Sequence, residues 1–367
     1  MTMTRRTFLS LAGSTALGVK AGYALSSAIQ APRFAYIAAK GKASGLYVFA
    51  PRDPDWPWLH FVPAEEPVAL AIHPNGRTLY VLHDVAIFQT LPRGYVSAYR
   101  IDPQSAKPVL LGVQPLSLSA TFPRHFAISP NGRFLIASAQ GGGAYNLFRI
   151  SEDGSIGRVC GIRKEVGCGL SLHSQHSARP QALLFTMRGD CILAVDQGND
   201  TISILDGDVS MRVRARSALP PGTGAHFLAL HHASQRAFVS GSLSQALLTF
   251  RYDALAATIT EPVTFVADGV SGPLAMHPIR EILYVVTRRG IAVYDFQRAD
   301  KIRRVQHLGI DDDVHESQSL QFSPSFDALF LSTRNGLLRM STNRVSGFLQ
   351  APRSISSVPH TQSVVFL

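Results

Sequence analysis

The chain has 367 residues, 46% apolar and 16% charged, with 29 glycines and 22 prolines. That is ordinary globular composition, and it excludes a disordered chain, a coiled coil and collagen. The net charge of +10 rests on arginine, with only six lysines, and such a field favours anionic partners without specifying a fold.

Residues 1–28 read as an export signal. Arg5-Arg6 precedes a modest apolar run from Phe8 to Val19, and Ser26-Ser27-Ala28 supplies a small-residue exit. The arginine pair followed by Thr7-Phe8-Leu9 resembles a twin-arginine signal. This implies the twin-arginine export machinery as a partner and a periplasmic or secreted location. The run is too short for a permanent span, and no other stretch is long and apolar enough to cross a bilayer. Cys160, Cys168 and Cys191 show no metal or redox spacing. A Cys160–Cys168 disulfide is compatible with an oxidising compartment, and three inert thiols is the plainer reading.

A nine-residue frame organises the rest. It reads HPNGRTLYV from His73, SPNGRFLIA from Ser129, TMRGDCILA from Thr186, HHASQRAFV from His231, HPIREILYV from His277 and SPSFDALFL from Ser323. The spacings are 56, 57, 45, 46 and 46 residues. Apolar triplets such as Phe126-Ala127-Ile128 stand before the frames, so each frame is a tight turn between two strands. Further β-rich runs follow at 94–101, 201–205, 246–252 and 291–296. Three or four strands per period describe a propeller blade.

The ends complete a seventh unit. Residues 361–367 match 317–323, an inner strand with no hairpin after it, and residues 33–40 resemble a second strand. The pattern predicts an all-β, seven-bladed propeller over residues 29–367 as one domain, closed by N- and C-terminal strands. Closure removes sheet edges. The ten extra residues of two early periods are expected in longer loops near 104–120 and 162–178.

Equivalent positions in a propeller form rings around the axis. Five residues before each frame stand Val68, Arg124, Gln181, His226, Gly272, Gln318 and Gln362. Eleven residues into each frame stand Lys40, Asp84, Gln140, Gln197, Ser242, Arg288 and Arg334. Antiparallel pairing brings both sets to one end of the blades, where a polar mouth suits a small anionic or hydroxyl-rich ligand. Asp196 and Asp200 offer oxygen ligands for a cation, but Asx residues beside glycine more often cap turns. Dispersed arginines without aromatic interleaving argue against nucleic acid. Trp56 and Trp58 are the only tryptophans, so no tryptophan-bearing blade repeat supports a quinone cofactor. Neither a cofactor nor a metal is expected.

In combination, Pro123-Arg124-His125, the Asp196–Asp200 segment, Pro221-Gly222-Thr223-Gly224 and the HPNGR-type turns resemble the seven-bladed lactonase family, the group of propeller-type 6-phosphogluconolactonase and carboxy-muconate cycloisomerase. The resemblance covers roughly residues 33–367. It implies a histidine where this chain has Gln181, an arginine where it has His226, a glutamate where it has Ser242, and an arginine that is kept as Arg288. The resulting expectation is a hydrolase opening a small acidic or sugar-derived lactone, with His226 activating water and Arg288 at the catalytic centre. Arg124, His125, Gln181, Gln318, Arg334, Lys40 and Asp84 are expected to bind substrate. A propeller that binds a sugar-acid ligand without catalysis is the other expectation. The substrate of 6-phosphogluconolactonase belongs to a cytoplasmic pathway, which sits awkwardly with export.

Overall fold

The computed structural model describes residues 32–52, 55–266, 269–297, 301–312, 314 and 316–367. The expected export signal therefore lies outside the described residues. These residues form seven antiparallel sheets. The first blade runs from Pro67–Ile72 to Pro108–Pro115, the second from Thr121–Ile128 to Ile156–Lys164, and the third from Pro180–Phe185 to Val213–Ala218. The fourth begins at Ala225–His231, the fifth runs from Val270–Met276 to Arg303–Gly309, and the sixth from Leu320–Phe322 to Arg353–Ser356. The seventh is composite. Thr361–Phe366 pairs with Ala35–Ala39, which is followed by Gly45–Phe49 and Trp58–Pro63. Ile37 lies opposite Val364, and Arg33 N–H donates to the Leu367 carbonyl at 2.7 Å.

Each blade is sandwiched between two others, so its middle strands must be apolar on both faces. The frame supplies this: Thr78–His83, Cys191–Asp196, Ile282–Thr287 and Ala328–Thr333 are buried at every position. The buried apolar residues fall into seven clusters, each shared by two neighbouring blades. One joins the sixth blade to the composite blade through Phe330, Leu337, Ile37 and Val364, and another joins the composite blade to the first through Tyr36, Leu46, Leu79 and Tyr99. The ring is closed by packing as well as by strand pairing. The frame glycines Gly76, Gly132 and Gly189 sit at φ of 72°, 72° and 75°, where a side chain is strained.

The loop expectation holds for one early blade and is corrected for the other. Residues 165–179 do form a long connection after Ile156–Lys164. Residues 108–115, expected in a loop, are instead the outer strand of the first blade. Its additional length lies at 84–94, between Thr78–His83 and Tyr95–Ile101. Val109 and Leu110 pair with the preceding strand, Leu111 forms a bulge, and only short turns remain on either side. All three cysteines are free.

A repeated tyrosine links blades. Tyr36, Tyr80 and Tyr284 occupy the same frame position, and their hydroxyls donate to the carbonyls of Ala106 (3.0 Å), Gly154 (2.9 Å) and Gly347 (2.6 Å) in the turn before the outer strand of the next blade. All three side chains are fully buried, so each hydroxyl needs that partner. Tyr80→Phe removes the donor while leaving the carbonyl buried, and is predicted to cost about 1–3 kcal/mol. Urea unfolding of the variant against the parent checks this, and an unchanged midpoint would contradict it.

Candidate functional site

The inner strands carry β-bulges where they reach the mouth. Pro67 and Ala69 oppose His83 and Leu82, which leaves Val68 unpaired. The same slip isolates Arg124 between Pro123 and His125, His226 between Ala225 and Phe227, and Gln362 between Thr361 and Ser363. Gln181 and Ala182 together oppose Val195, and residues 271–273 oppose Val286. A bulge re-aims a side chain and excuses it from cross-strand packing. This is why a fixed offset from the frame picks out residues that gather on the axis. Val68, Arg124, Gln181, His226, Gln318 and Gln362 all line one axial cavity of 160 Å³, which His125 also lines.

Above it, a second cavity of 240 Å³ is lined by Arg124, Gln140, Ser174, Arg179, Gln181, Gln197, His226 and Gln318. A hydrogen-bond chain fixes one side of the mouth. Asp84 pairs with Lys40 and with Arg124 (3.1 Å), and Arg124 Nε donates to Gln140 Oε1 at 2.7 Å. A neutral chain fixes the other side: Gln181 Nε2 donates to Gln197 Oε1 (3.0 Å), and Gln197 Nε2 donates to Ser242 Oγ (2.8 Å). Gln181 Oε1 is buried and has no partner among the described residues.

Both mouth histidines are held neutral. Burial pushes His125 down to about 4. His226 is also pushed down to about 4, by burial first and then by the positive charges of Arg124 and Arg179. The acidic segment caps turns. Asp196 Oδ1 accepts the N–H groups of Arg179 (2.8 Å), Gly198 (2.8 Å) and Asn199 (3.2 Å). Its burial outweighs those bonds and raises its pKa to about 6. Asp200 accepts from Gly222 N–H (2.7 Å), Gly224 N–H (2.6 Å) and Gln175 Nε2 (2.7 Å). Asp196 Oδ1 and both Asp200 oxygens are occupied by protein donors, while Asp196 Oδ2 is buried without a partner among the described residues, and no cluster suited to a metal occurs among the described residues.

The structure brings together Lys40, Asp84, Arg124, His125, Gln181, His226 and Gln318. It does not bring Arg288 and Arg334 to them. Both are exposed, and neither lines either cavity. Each begins a two-residue turn, Arg288-Arg289 or Arg334-Asn335, that closes a tight hairpin, so Arg288, expected at the catalytic centre, and Arg334, expected to bind substrate, stand outside the cavities that hold His226.

Arg179 was not anticipated; it is the last residue of the 165–179 connection, just before the strand Pro180–Phe185 that carries Gln181. Ser174 enters through the long 165–179 connection, where Arg179 Nη1 donates to its carbonyl at 2.9 Å. Gln175 pins that connection, with its amide nitrogen donating to the Gln197 carbonyl (2.8 Å) and to Asp200. No repeat position marks these loop residues.

Residues 59–336 match the family model described as lactonase, 7-bladed beta-propeller. The 6-phosphogluconolactonase of Bacillus subtilis strain 168 is 23% identical over 316 residues, which cover 82% of this chain and 87% of that one. Among solved structures, the periplasmic gluconolactonase of Pseudomonas aeruginosa aligns with a TM-score of 0.78 at 18% identity, covering 91% of this chain and 98% of its own. A protein from Lactobacillus plantarum aligns with a TM-score of 0.80 at 18% identity, covering 92% and 100%. At that identity the structural likeness concerns the fold.

The neutral histidines make acid a stress on the fold. His83, His125, His226 and His277 all titrate near 4 in the folded chain, against 6.5 when unperturbed. Between those values the unfolded chain binds more protons, so stability is full above about pH 6.5 and declines as pH falls toward 4. Asp196 acts in the opposite sense over part of this window, but one carboxyl is outweighed by four imidazoles. The urea midpoint is therefore predicted to fall between pH 7 and pH 4.5, and to fall less in His226→Gln; a flat midpoint would contradict the assignment.

Proposed function

We propose, since the chain belongs to the lactonase family of seven-bladed β-propellers, that its axial mouth binds and hydrolyses a small acidic or sugar-derived lactone. The observation that carries this reading is the convergence of Arg124, Arg179 and His226 with four glutamine amides on one small cavity. Asp84 is shared between Lys40 and Arg124. Asp196, whose Oδ1 accepts the Arg179 backbone N–H, offsets part of the Arg179 charge and leaves three cations against two carboxylates. The mouth thus keeps positive charge for a carboxylate or phosphate, which a guanidinium binds with two parallel hydrogen bonds. The glutamine amides suit sugar hydroxyls.

In hydrolysis, water attacks the lactone carbonyl carbon and His226 takes the proton released. The arginine pair steadies the oxyanion as it forms. The ring C–O bond then breaks, and the leaving oxygen recovers the proton from His226. A group with a pKa near 4 is a weaker base than one tuned to neutral pH, so this design favours holding the oxyanion over pulling the proton. Binding without turnover is the second reading. It is favoured by the neutral chain Gln181–Gln197–Ser242, whose ends replace the histidine and glutamate that the family resemblance implies. The reading extends to export: Arg5-Arg6 begins a signal-like segment, and no helix among the described residues is long and apolar enough to cross a membrane.

Purified protein tested on a panel of sugar and acidic lactones separates the two readings. Turnover is expected, with Arg179→Ala and Arg124→Ala each lowering kcat/KM by about 10²-fold or more and His226→Ala abolishing it. Background rates throughout, with saturable binding of a sugar acid that Arg179→Ala removes, give the binding reading. Cell fractionation tests export: Arg5→Lys together with Arg6→Lys is predicted to leave the chain in the cytoplasm, and unchanged export would contradict the signal.

A further inference from the structure

The mouth face carries an apolar patch that the axial site does not use. Ile87, Leu118, Phe122, Val166, Leu170 and Leu172 are all exposed, and the last three stand out furthest, at 80%, 74% and 87% exposure. They come from segments 84–94, 116–122 and 165–179, which lie at the mouth end of the first three blades. Close contacts hold these segments side by side. Phe122 N–H donates to the Val85 carbonyl (3.1 Å), and Ser119 N–H donates to the Pro92 carbonyl (2.8 Å). The Ser119 carbonyl leaves Gly142 no room for a side chain. Lys164 Nζ donates to the Gly142 carbonyl (3.0 Å), and Glu165 N–H donates to the Gly143 carbonyl (2.7 Å). Gln175 pins the base of the third segment, which leaves 166–172 as its projecting part.

Exposed apolar residues that stand singly are ordinary, whereas a contiguous group marks an interaction surface. On the opposite face they do stand singly, each near a carboxylate: Met187 by Asp190, Leu255 by Asp253 and Ile279 by Glu281. The patch has no exposed carboxylate of its own. Its three segments contain two acidic residues, Asp84 and Glu165, and both side chains are buried and paired, Asp84 with Lys40 and Arg124, Glu165 with Arg163 and Arg216. Arg93 donates to Gln89 (3.3 Å) and Lys164 to the Gly142 carbonyl, so neither charge is spent on a carboxylate among the described residues. Glu65, beside the Tyr95 hydroxyl at 3.4 Å, marks the edge of the patch. The exposed Asp311 and Glu316 precede the sixth blade, across the axis from the second.

We propose that this patch docks the protein on an anionic phospholipid surface, with 166–172 and the neighbouring apolar side chains entering the interface and Arg93 and Lys164 meeting the phosphates. Binding of this kind needs buried apolar area together with attraction to anionic headgroups, and the patch supplies both. Its six apolar side chains line neither mouth cavity. They project from separate segments, and a lipid layer deforms around such projections. A second copy of the chain is unsuited as the partner, since the patch would meet its own positive charge. The proposal does not depend on what the mouth binds.

Cys168, a free and exposed thiol within the projecting part, provides the readout. The full chain is labelled there with a nitrobenzoxadiazole iodoacetamide and mixed with vesicles of phosphatidylcholine, alone or in equal parts with phosphatidylglycerol. The signal is the difference from Cys168→Ser treated in the same way. The label is expected to brighten and shift to the blue with the anionic vesicles, to saturate, and to respond less as salt rises. Leu170→Ser combined with Leu172→Ser should weaken partition about tenfold, and Lys164→Ser about fivefold. Val345→Ser, at a 76% exposed position on the opposite face, should leave it unchanged. The N-terminal segment, with Arg5, Arg6 and Lys20, also favours such vesicles, but it is common to every variant and does not bury a label at Cys168. No response, an equal response to the two vesicle types, an undiminished response in the double leucine variant, or an equal loss in Val345→Ser would each overturn the proposal. Brightening with protein concentration in the absence of vesicles would also overturn it, by assigning the patch to a second copy.

Discussion

At the mouth, inner strands carry more residues than the strands they pair with, and the site depends on that mismatch. In a regular antiparallel pair every side chain is committed to one face of the sheet. In this ring both faces are packed against neighbouring blades, so a fully regular inner strand presents nothing to the axis except backbone. The bulges at Val68, Arg124, His226 and Gln362 release one side chain each, and the wider one at Gln181-Ala182 releases Gln181. Freed side chains from several blades then meet at the same height and line one cavity. Chemistry at the mouth can therefore vary without disturbing the clusters that hold the blades together.

Those clusters explain why the ring tolerates divergence. The apolar packing is divided among seven separate gaps rather than collected in one core. Each gap needs only mutual fit between two sheets, and the tyrosine hydroxyls of Tyr36, Tyr80 and Tyr284 add a directional link to three of them. Where the frame has Phe238 or Leu193 instead, apolar contact alone serves. The one joint that covalent connection does not supply is the pairing of Ala35–Ala39 with Thr361–Phe366. Strands from opposite ends of the chain make it, at the largest loop-closure cost in the fold.

The fold was legible because the frame repeats at nearly even spacing and its strands are apolar on both faces. The ring of axial residues was legible for a related reason: a bulge at a constant place keeps a constant offset. What lay outside the repeat was not. Arg179 and Ser174 reach the mouth through a connection that only one blade has. Arg288 and Arg334 keep the right offset but occupy two-residue turns, which face solvent, whereas Gln140 continues a strand and Gln197 is held by two side-chain bonds. Offset along a repeat predicts height on the axis, but the length of the local turn decides direction.

The balance of charge at the mouth is the remaining constraint on chemistry. A proton acceptor works best when its pKa lies near the working pH, and a guanidinium lowers the pKa of any imidazole beside it. Arg124 and Arg179 do this to His226, and burial does more. Adding positive charge to hold an anion thus weakens the base in the same cavity. The family resemblance implies an acid–base pair at positions that here hold Gln181 and Ser242, whose only charge is dipolar. On the proposed reading, the mouth favours anion recognition over proton transfer. On that reading, turnover comes chiefly from lowering the energy of the oxyanion, with His226 as a proton carrier that burial and the two arginines hold neutral down to about pH 4.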